Sequence, residues 1–402
     1  MIEIRRLNAE EVPYLSRMMS VVFNFRRDFA KEENQIPDPL ARPPEWSWGA
    51  FDGAKLVSAM TEIEYLMRFD GHSVPMSGIG GVGTLPEARK GGHVRAIFEK
   101  LLPEAYEKGV IFSNLTPFSH SFYRKFGYET ACARNNITIP VREFAHLKLK
   151  GHFTQIMSDS DTSGLNEVHR RYIADINHGI CRDHWPDNKG WRIFVKDDPY
   201  ATGTFVYLWQ DDAGKNRGYI KYQDVMQDNE HVISVRELAF ADPQALRGVL
   251  SIIGGLGAQF RKVQWLMPTF IDPIDLVNNP WEVEQRVIPR DMTRLINVKA
   301  ALKMMRRPDG EGAYVIQVDD GQISANSGKF LVEYSPKETR VSPTQKDPHI
   351  RCDIPALSQL VTGYRTLENA LLTRESGLEV YGNRDTLNQV FTLRPQHVTE
   401  YF

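Results

Sequence analysis

The residues best suited to chemistry lie in one glycine-rich stretch, SGIGGVGTLPEARKGGHVRAIF, at positions 77–98. An apolar strand pattern there runs into a basic loop, and an apolar helix pattern follows at once. Arg89 and Gly92 immediately precede the predicted helix, whose unpaired N–H groups and positive dipole end attract anions. Gly91 and Gly92 carry no Cβ to keep an anion away, and Lys90 adds positive charge beside Arg89. Together these residues suit a pyrophosphate group.

The loop does not fit the two commonest phosphate-binding motifs. The sequence has no G-x-x-x-x-G-K-[ST], the glycine spacing differs from G-x-G-x-x-G, and the preceding strand is the fourth of its unit instead of the first. Taken alone, the loop is therefore explained equally well as a plain β–α turn with solvated basic side chains.

The elements around this loop predict an alternation of strands and helices. Strand patterns are IEIRRL, VIFSNLTP and ARNNITIP, with three more strands between WGAFDG and GGVGTL, and helix patterns are AEEVPYLSRMMSVVF, VRAIFEKLLPEAYEKG and HSFYRKFG. A second copy of this order follows, in which ISVRELAFADPQALRGVLSII matches the pattern of SGIGGVGTLPEARKGGHVRAI. We therefore predict a diverged internal repeat.

The character of the chain changes after about Ile288. MTRLINVKAALKMM predicts an amphipathic helix, GAYVIQV, GKFLVEYS and SGLEVYG predict strands, and DIPALSQLVTG and TLENALLTR predict helices. This mixture is typical of an α+β domain. The whole chain is thus predicted to be a mixed α+β protein with domains at residues 1–148, 149–288 and 289–402.

Composition narrows the functional classes. The chain has 402 residues, of which 42% are hydrophobic and 25% charged, and its net charge of −2 favours neither nucleic acid nor an anionic membrane. No apolar run approaches the roughly 18 residues of a membrane helix, and the first residues lack the apolar core of a signal peptide. Cys132, Cys181 and Cys352 form no metal-ligand spacing and no evident disulfide framework. We therefore expect a cytoplasmic protein without a metal.

The basic loop and a downstream segment together resemble the GCN5-related N-acetyltransferases, the GNAT superfamily. Arg89-x-x-Gly92 after an apolar strand is similar to that family's motif A, and SFYRKFGYE, about 30 residues on, is similar to its motif B. Val94 replaces the last small residue of the usual motif A pattern. The resemblance implies acetyl-CoA as cosubstrate. Its implied contacts are Val82, Gly83, Thr84, Arg89, Lys90, Gly91, Gly92, His93, Val94, Arg95, Phe118 and Ser119.

The same resemblance implies the acid but not the base of acetyl transfer. Tyr123 matches the tyrosine that the family commonly places near the CoA sulfur, with a packing aromatic as the alternative. The strand before motif A often supplies a glutamate base, but SGIGGVGTL contains no acid and no histidine. In the second copy, Arg247 and Gly248 are adjacent, so we expect a scaffold without an acetyl-CoA site.

Two tandem GNAT-like units and a third α+β domain resemble, over the whole chain, the Eis (enhanced intracellular survival) family of bacterial acetyltransferases. ARKGGHVRAIF, LTPFSHSFYRKFGYE and the terminal TEYF carry this resemblance. It implies a third domain like sterol carrier proteins and a terminal carboxylate, that of Phe402, acting as the base. A C-terminus that packs only for stability is the alternative.

The resemblance also implies a small-molecule primary amine as acceptor, such as an aminoglycoside or a polyamine, and a homohexamer. A polycation should meet acidic and aromatic side chains, unless these belong to a solvated face. The candidates are Asp28, Glu32, Glu33, Trp46, Trp48 and Glu400. Other functions that stay open are acetylation of protein lysines, lipid or sterol binding with vestigial GNAT units, and modification of a nucleic acid such as transfer RNA.

Overall fold

A computed structural model describes residues 2–26, 28–29 and 42–400. The chain divides into two compact units. The first contains residues 1–131, 291–394 and 400–402, and the second contains residues 132–290 and 395–399. These units follow packing and not the order of the repeats, so the boundaries at 148 and 288 stay a prediction.

The N-terminal part of the first unit contains the strands and helices expected around the basic loop. They are β1 (Ile2–Arg6), α1 (Val12–Val22), β2 (Ser47–Asp52), β3 (Lys55–Phe69), β4 (His72–Thr84), α2 (His93–Glu107), β5 (Phe112–Leu115) and α3 (His120–Arg124). Strands β1 to β4 are antiparallel neighbours, and β5 runs parallel to β4. Helix α2 buries Ile97, Phe98 and Leu101 against this sheet, as its apolar periodicity predicts.

The second unit repeats this topology. Its elements are β6 (Glu129–Pro140), β7 (His152–Gln155), α4 (Ser163–Ile173), α5 (Lys189–Phe194), α6 (Pro199–Thr202), β8 (Thr204–Gln210), β9 (Asn216–Gln227), β10 (Glu230–Phe240), α7 (Pro243–Gly255) and β11 (Lys262–Pro268). Strands β7 to β10 are antiparallel neighbours, β11 runs parallel to β10, and β6 flanks β11. An antiparallel meander that ends in one parallel pair thus occurs twice, which confirms the predicted repeat.

The C-terminal region adds a second sheet to the first unit. Its elements are β12 (Glu284–Leu295), α8 (Val298–Met304), β13 (Gly312–Asp319), β14 (Gly328–Tyr334), β15 (Thr339–Pro343), β16 (Ile350–Asp353), α9 (Ile354–Val361), α10 (Leu367–Thr373), β17 (Leu378–Val380) and α11 (Arg384–Val390). Strands β13 to β17 form a five-stranded sheet in the order β15-β14-β13-β16-β17. The mixed α+β class predicted from sequence is confirmed.

One predicted helix is wrong over its first half. Residues 292–295 of MTRLINVKAALKMM are the end of β12, and they pair antiparallel with β5. Helix α8 begins only at Val298, where the side chain of Asn297 accepts a hydrogen bond from the N–H of Ala300. Strand pairing has overridden a helical periodicity, because helix propensity is weaker than tertiary packing. Within the described part of the chain, no helix is long and apolar enough to cross a membrane.

Candidate active site

The loop between β4 and α2 leaves the helix N-terminus open. Lys90 (φ 66°) and Gly92 (φ 76°) adopt the left-handed conformation, and α2 starts at His93. No side chain of a described residue caps this helix. A Cβ on Gly91 would come within 2.4 Å of the His93 imidazole, and one on Gly92 would meet no atom. The first N–H groups of α2 therefore remain available to an anion.

The basic residues of the loop lie together at this helix end. Arg89, Lys90 and Arg95 are exposed, whereas His93 and Val94 are half-buried. Among the described residues none forms an ion pair with any of these three cations. Three unneutralised charges beside a positive helix end are the electrostatic complement of a pyrophosphate.

Strand β4 carries a β-bulge just before the loop. Gly80 pairs with Thr61 and Gly83 with Ala59, so the two residues between them, 81 and 82, oppose a single residue of β3. Gly81 has a φ of 57°, which explains the glycine at this point. The bulge leaves Val82 without a paired residue on β3. The sequence signalled it only as an excess of glycine in a strand.

The bulge coincides with the end of pairing between β4 and β5. The parallel register runs from Met76–Phe112 to Ile79–Leu115, and β4 continues to Thr84 without β5. Beyond this point the carbonyl of Gly83 is already taken, since it accepts from the Ser58 hydroxyl at 2.8 Å. The side chain of Thr84 lies 2.8 Å from the same hydroxyl. Of the predicted backbone contacts, Val82 is thus the one least committed to the sheet.

Tyr123 lies in an aromatic cluster, and its hydroxyl has no hydrogen-bond partner among the described residues. Its side chain is 2% exposed, and its ring centroid is 5.3 Å from that of Phe118 and 6.2 Å from that of Tyr128. Burial, followed by the neighbouring Tyr128, raises the pKa of Tyr123 above its ordinary value. No described residue hydrogen-bonds the Tyr123 hydroxyl, whereas that of Tyr128 lies 2.7 Å from the Ser113 hydroxyl. Tyr123 therefore holds a proton that has no acceptor among the described residues.

The turn before Tyr123 presents an apolar surface. Ser119 caps α3 by accepting a hydrogen bond from the N–H of Phe122, and Phe118 is 70% exposed. The sequence reading missed His120, whose Nε2 is buried without a hydrogen-bond partner among the described residues. No sequence pattern distinguishes it from a solvated histidine.

A buried carboxylate on β3, the strand that pairs with the bulged strand, accepts hydrogen bonds from three side chains. Glu62 on β3 accepts from the Arg6 guanidinium at 2.7 Å, from Ser77 at 2.8 Å and from the Trp48 indole at 3.3 Å. Trp48, a predicted acceptor contact, is thus a core residue that lies under the Arg6 guanidinium. Three donors thus bind the Glu62 carboxylate, whose two oxygens offer about four acceptor positions.

The other predicted acceptor contacts do not form one described pocket. Asp28 is exposed, and Trp46 and Glu400 are half-buried. Glu32, Glu33 and the predicted base, Phe402, lie outside the described residues. Their grouping around an acceptor stays a prediction.

Comparisons with known proteins agree with this architecture. Residues 3–131 match the family model of an acetyltransferase (GNAT) domain, residues 181–295 match a second acetyltransferase (GNAT) domain, and residues 298–399 match a sterol carrier protein domain. No curated protein sequence matches the chain significantly.

Solved structures share the fold over the full length. A GCN5-related N-acetyltransferase from Anabaena variabilis has a TM-score of 0.84 at 21% identity, and Eis1 from Mycobacterium abscessus has 0.79 at 22%. A probable N-acyltransferase from Enterococcus faecalis has 0.84 at 20%. In each case 100% of both chains is covered. The arrangement of two acetyltransferase folds and a C-terminal domain is therefore common to all four proteins.

Proposed function

From the premise that this chain is a GNAT acetyltransferase with the Eis-like domain order and acetyl-CoA as cosubstrate, we propose that it acetylates primary amines. The acceptors are small polycations, such as aminoglycosides or polyamines. The open N-terminus of α2 supports this proposal most, since it fits the pyrophosphate of the cosubstrate. Beside it, Arg89, Lys90 and Arg95 form no ion pair with a described residue. The second unit has no equivalent loop.

The reaction requires attack by the amine, loss of the amine proton and departure of the thiolate, all at the first unit. The neutral amine attacks the thioester carbonyl carbon, so that a C–N bond forms and the carbonyl oxygen gains negative charge. Backbone N–H groups at the β4 bulge, beside Val82, are suited to hold that oxygen and the pantetheine chain. Collapse breaks the C–S bond and leaves a thiolate.

Tyr123 is the proposed acid for this thiolate. A tyrosine hydroxyl has an ordinary pKa of about 10 and is protonated at neutral pH, and burial raises the pKa of Tyr123 further. A thiol has an ordinary pKa of about 8.5, so complete proton transfer from Tyr123 costs free energy. The hydroxyl therefore acts first as a hydrogen-bond donor to the developing negative charge on sulfur, and the proton follows as the thiolate leaves.

The proposed base is the terminal carboxylate of Phe402, which takes the proton that the amine nitrogen loses as its bond to the carbonyl carbon forms. A free α-carboxylate has a pKa of about 3.3–3.7 and is a weak base at neutral pH, so the proposal requires burial, which raises this pKa, or a water relay that carries the proton to it. The engagement of Glu62 with three donors supports a base from elsewhere in the chain. We further propose a cytoplasmic homohexamer, on the resemblance to the Eis family alone.

The test is to add one glycine after Phe402, which displaces the carboxylate and leaves every side chain in place. CoA release is measured with an aminoglycoside, a polyamine and a lysine-containing peptide. We expect turnover with the first two acceptors in the native chain, and its loss in the extended chain with acetyl-CoA binding retained. Turnover of the peptide alone would identify a lysine acetyltransferase, and full turnover of the extended chain would remove Phe402 as the base.

A further inference from the structure

The last described residues of the chain are held more firmly than a chain end requires. Residues 395–399 belong to the second unit, and residues 396–398 are buried. The N–H of Asn177 donates to the carbonyl of Pro395 at 2.9 Å, and the N–H of His397 donates to the carbonyl of Asn177 at 3.0 Å. Terminal residues usually fray unless they are tied down, so this segment, which we call the anchored tail (residues 395–399), is an exception.

The second unit binds the tail at three further points, two through side chains and one through the main chain. The Tyr172 hydroxyl lies 2.8 Å from Nδ1 of His397, and the N–H of Ile180 donates to the Thr399 hydroxyl at 3.0 Å. The guanidinium of Arg134 donates to the carbonyl of Val398.

Arg182 completes the set by donating to the carbonyl of Thr399 at 3.1 Å. Its guanidinium also forms a two-point ion pair with Glu237, at 2.7 and 2.6 Å, and both side chains are buried. Burial opposes ionisation of Glu237, but the facing Arg182 outweighs it and lowers the pKa of that carboxyl to about 2. The Tyr219 hydroxyl donates to Glu237 at 2.5 Å and lies 2.9 Å from His169.

We propose that the second unit serves as the anchor of the tail, with Arg134, Arg182 and Tyr172 as positioning residues for the terminal carboxylate. This inference rests on the proposed role of Phe402. Buried guanidinium groups cost desolvation free energy, and a chain end that only needed to be covered would be satisfied by apolar contacts. Here two of them bind consecutive main-chain carbonyls, three and four residues before the end of the chain. Such bonds fix the path of the backbone whatever side chains the tail carries.

The test weakens the anchor without leaving a buried charge. Tyr172→Phe removes the hydroxyl that faces His397, and Thr399→Val removes the acceptor of the Ile180 N–H at nearly constant shape. Tyr222→Phe is the matched control, since Tyr222 is a buried tyrosine of the same unit that packs in the core around Phe205 and Tyr207. All three changes are made in the native chain and in the chain extended by one glycine.

We expect the double variant to lower kcat about fivefold with the KM for acetyl-CoA unchanged, since neutral hydrogen bonds contribute modestly. In the extended chain, whose carboxylate is already displaced, the same two changes should cause no further loss. Carboxypeptidase digestion, followed by mass spectrometry, should remove Thr399 and the residues before it faster in the double variant than in the native chain or the control.

Three results would overturn the inference. An equal fall of kcat in both backgrounds would mean that the bonds support folding only. Unchanged carboxypeptidase trimming would mean that they do not hold the tail. Full turnover of the glycine-extended chain would remove the carboxylate's role, and the positioning role with it, while the trimming rates would still report whether the tail is anchored.

Discussion

The two strand–loop–helix segments of the repeat differ at the helix N-terminus. In the first unit, eight residues (85–92) separate β4 from α2, and no described side chain caps the helix. In the second, only Ala241 and Asp242 separate β10 from α7, and Asp242 accepts a hydrogen bond from the N–H of Ala245 at 2.9 Å. Asp242 also forms an ion pair with Arg217. The N-terminus of α7 is thus occupied by the carboxylate of Asp242, whereas no described side chain occupies the N-terminus of α2.

The bulges of the two strands differ in the same sense. The bulge of β4 falls on Gly81 and Val82, neither of which pairs with a residue of β3, whereas that of β10 lies between Val235 and Glu237. In the second unit, Glu237 next to this bulge forms a buried ion pair with Arg182. The same scaffold is thus suited to ligand binding in the first unit, where no described side chain caps the helix N-terminus. In the second unit it is suited to a structural role, because its own side chains satisfy the corresponding polar groups.

Replacing Tyr123 with phenylalanine should have the largest effect. We expect kcat to fall about a hundredfold, at the low end of what a positioned acid contributes. Acetyl-CoA affinity should be retained, because the pyrophosphate loop is untouched. Steady-state kinetics and calorimetric titration measure the two quantities. Tyr222→Phe in the second unit is the control, and an unchanged kcat in Tyr123→Phe would leave Tyr123 as a packing aromatic.

Removing one loop cation should have a smaller effect, and it should show which of the two units binds acetyl-CoA. Arg89→Ala is expected to weaken acetyl-CoA binding about tenfold, since a charge-assisted contact to phosphate contributes about 1.5–3 kcal/mol at most. The matched change Arg247→Ala, at an exposed position of helix α7, should leave the affinity as it is. Equal losses in both variants would contradict the assignment of the cosubstrate site to the first unit alone.

Removing the cap of the second helix should have the smallest effect. Asp242→Ala is expected to lower the free energy of unfolding by about 1 kcal/mol, the usual contribution of an N-cap. Chemical denaturation measures this change. No second acetyl-CoA site should appear, because the loop of residues 85–92 has no counterpart. A stoichiometry of two in this variant would show that the cap alone had closed a working site.

Much of the fold was accessible from sequence because its signals are local. The strands of the first unit alternate or are continuously apolar, and the turns at Gly53 and Gly71 have positive φ angles that favour glycine. The basic loop was recognisable because Arg89, Gly91 and Gly92 lie within four residues of one another. Such short-range patterns determine element order in both units.

The remaining features depend on contacts that are distant in sequence. The sequence predicts Trp48 as an aromatic contact for a polycation, but in the structure its indole lies in the core and donates a hydrogen bond to Glu62. MTRLIN reads as a helix until its pairing with β5 is known. The anchored tail has no local signal at all, because its partners, such as Arg134 and Tyr172, are more than 200 residues away.

The pairing of β5 with β12 sets the order in which the first unit is completed during translation. Residues 112–115 form the end of the N-terminal meander, and their partner strand is residues 292–295. At the usual rate of 5–20 residues per second, this partner emerges on the order of ten seconds or more after β5. An unpaired strand edge is a template for association with other chains, so the edge of β5 that later pairs with β12 is open to such association through that interval.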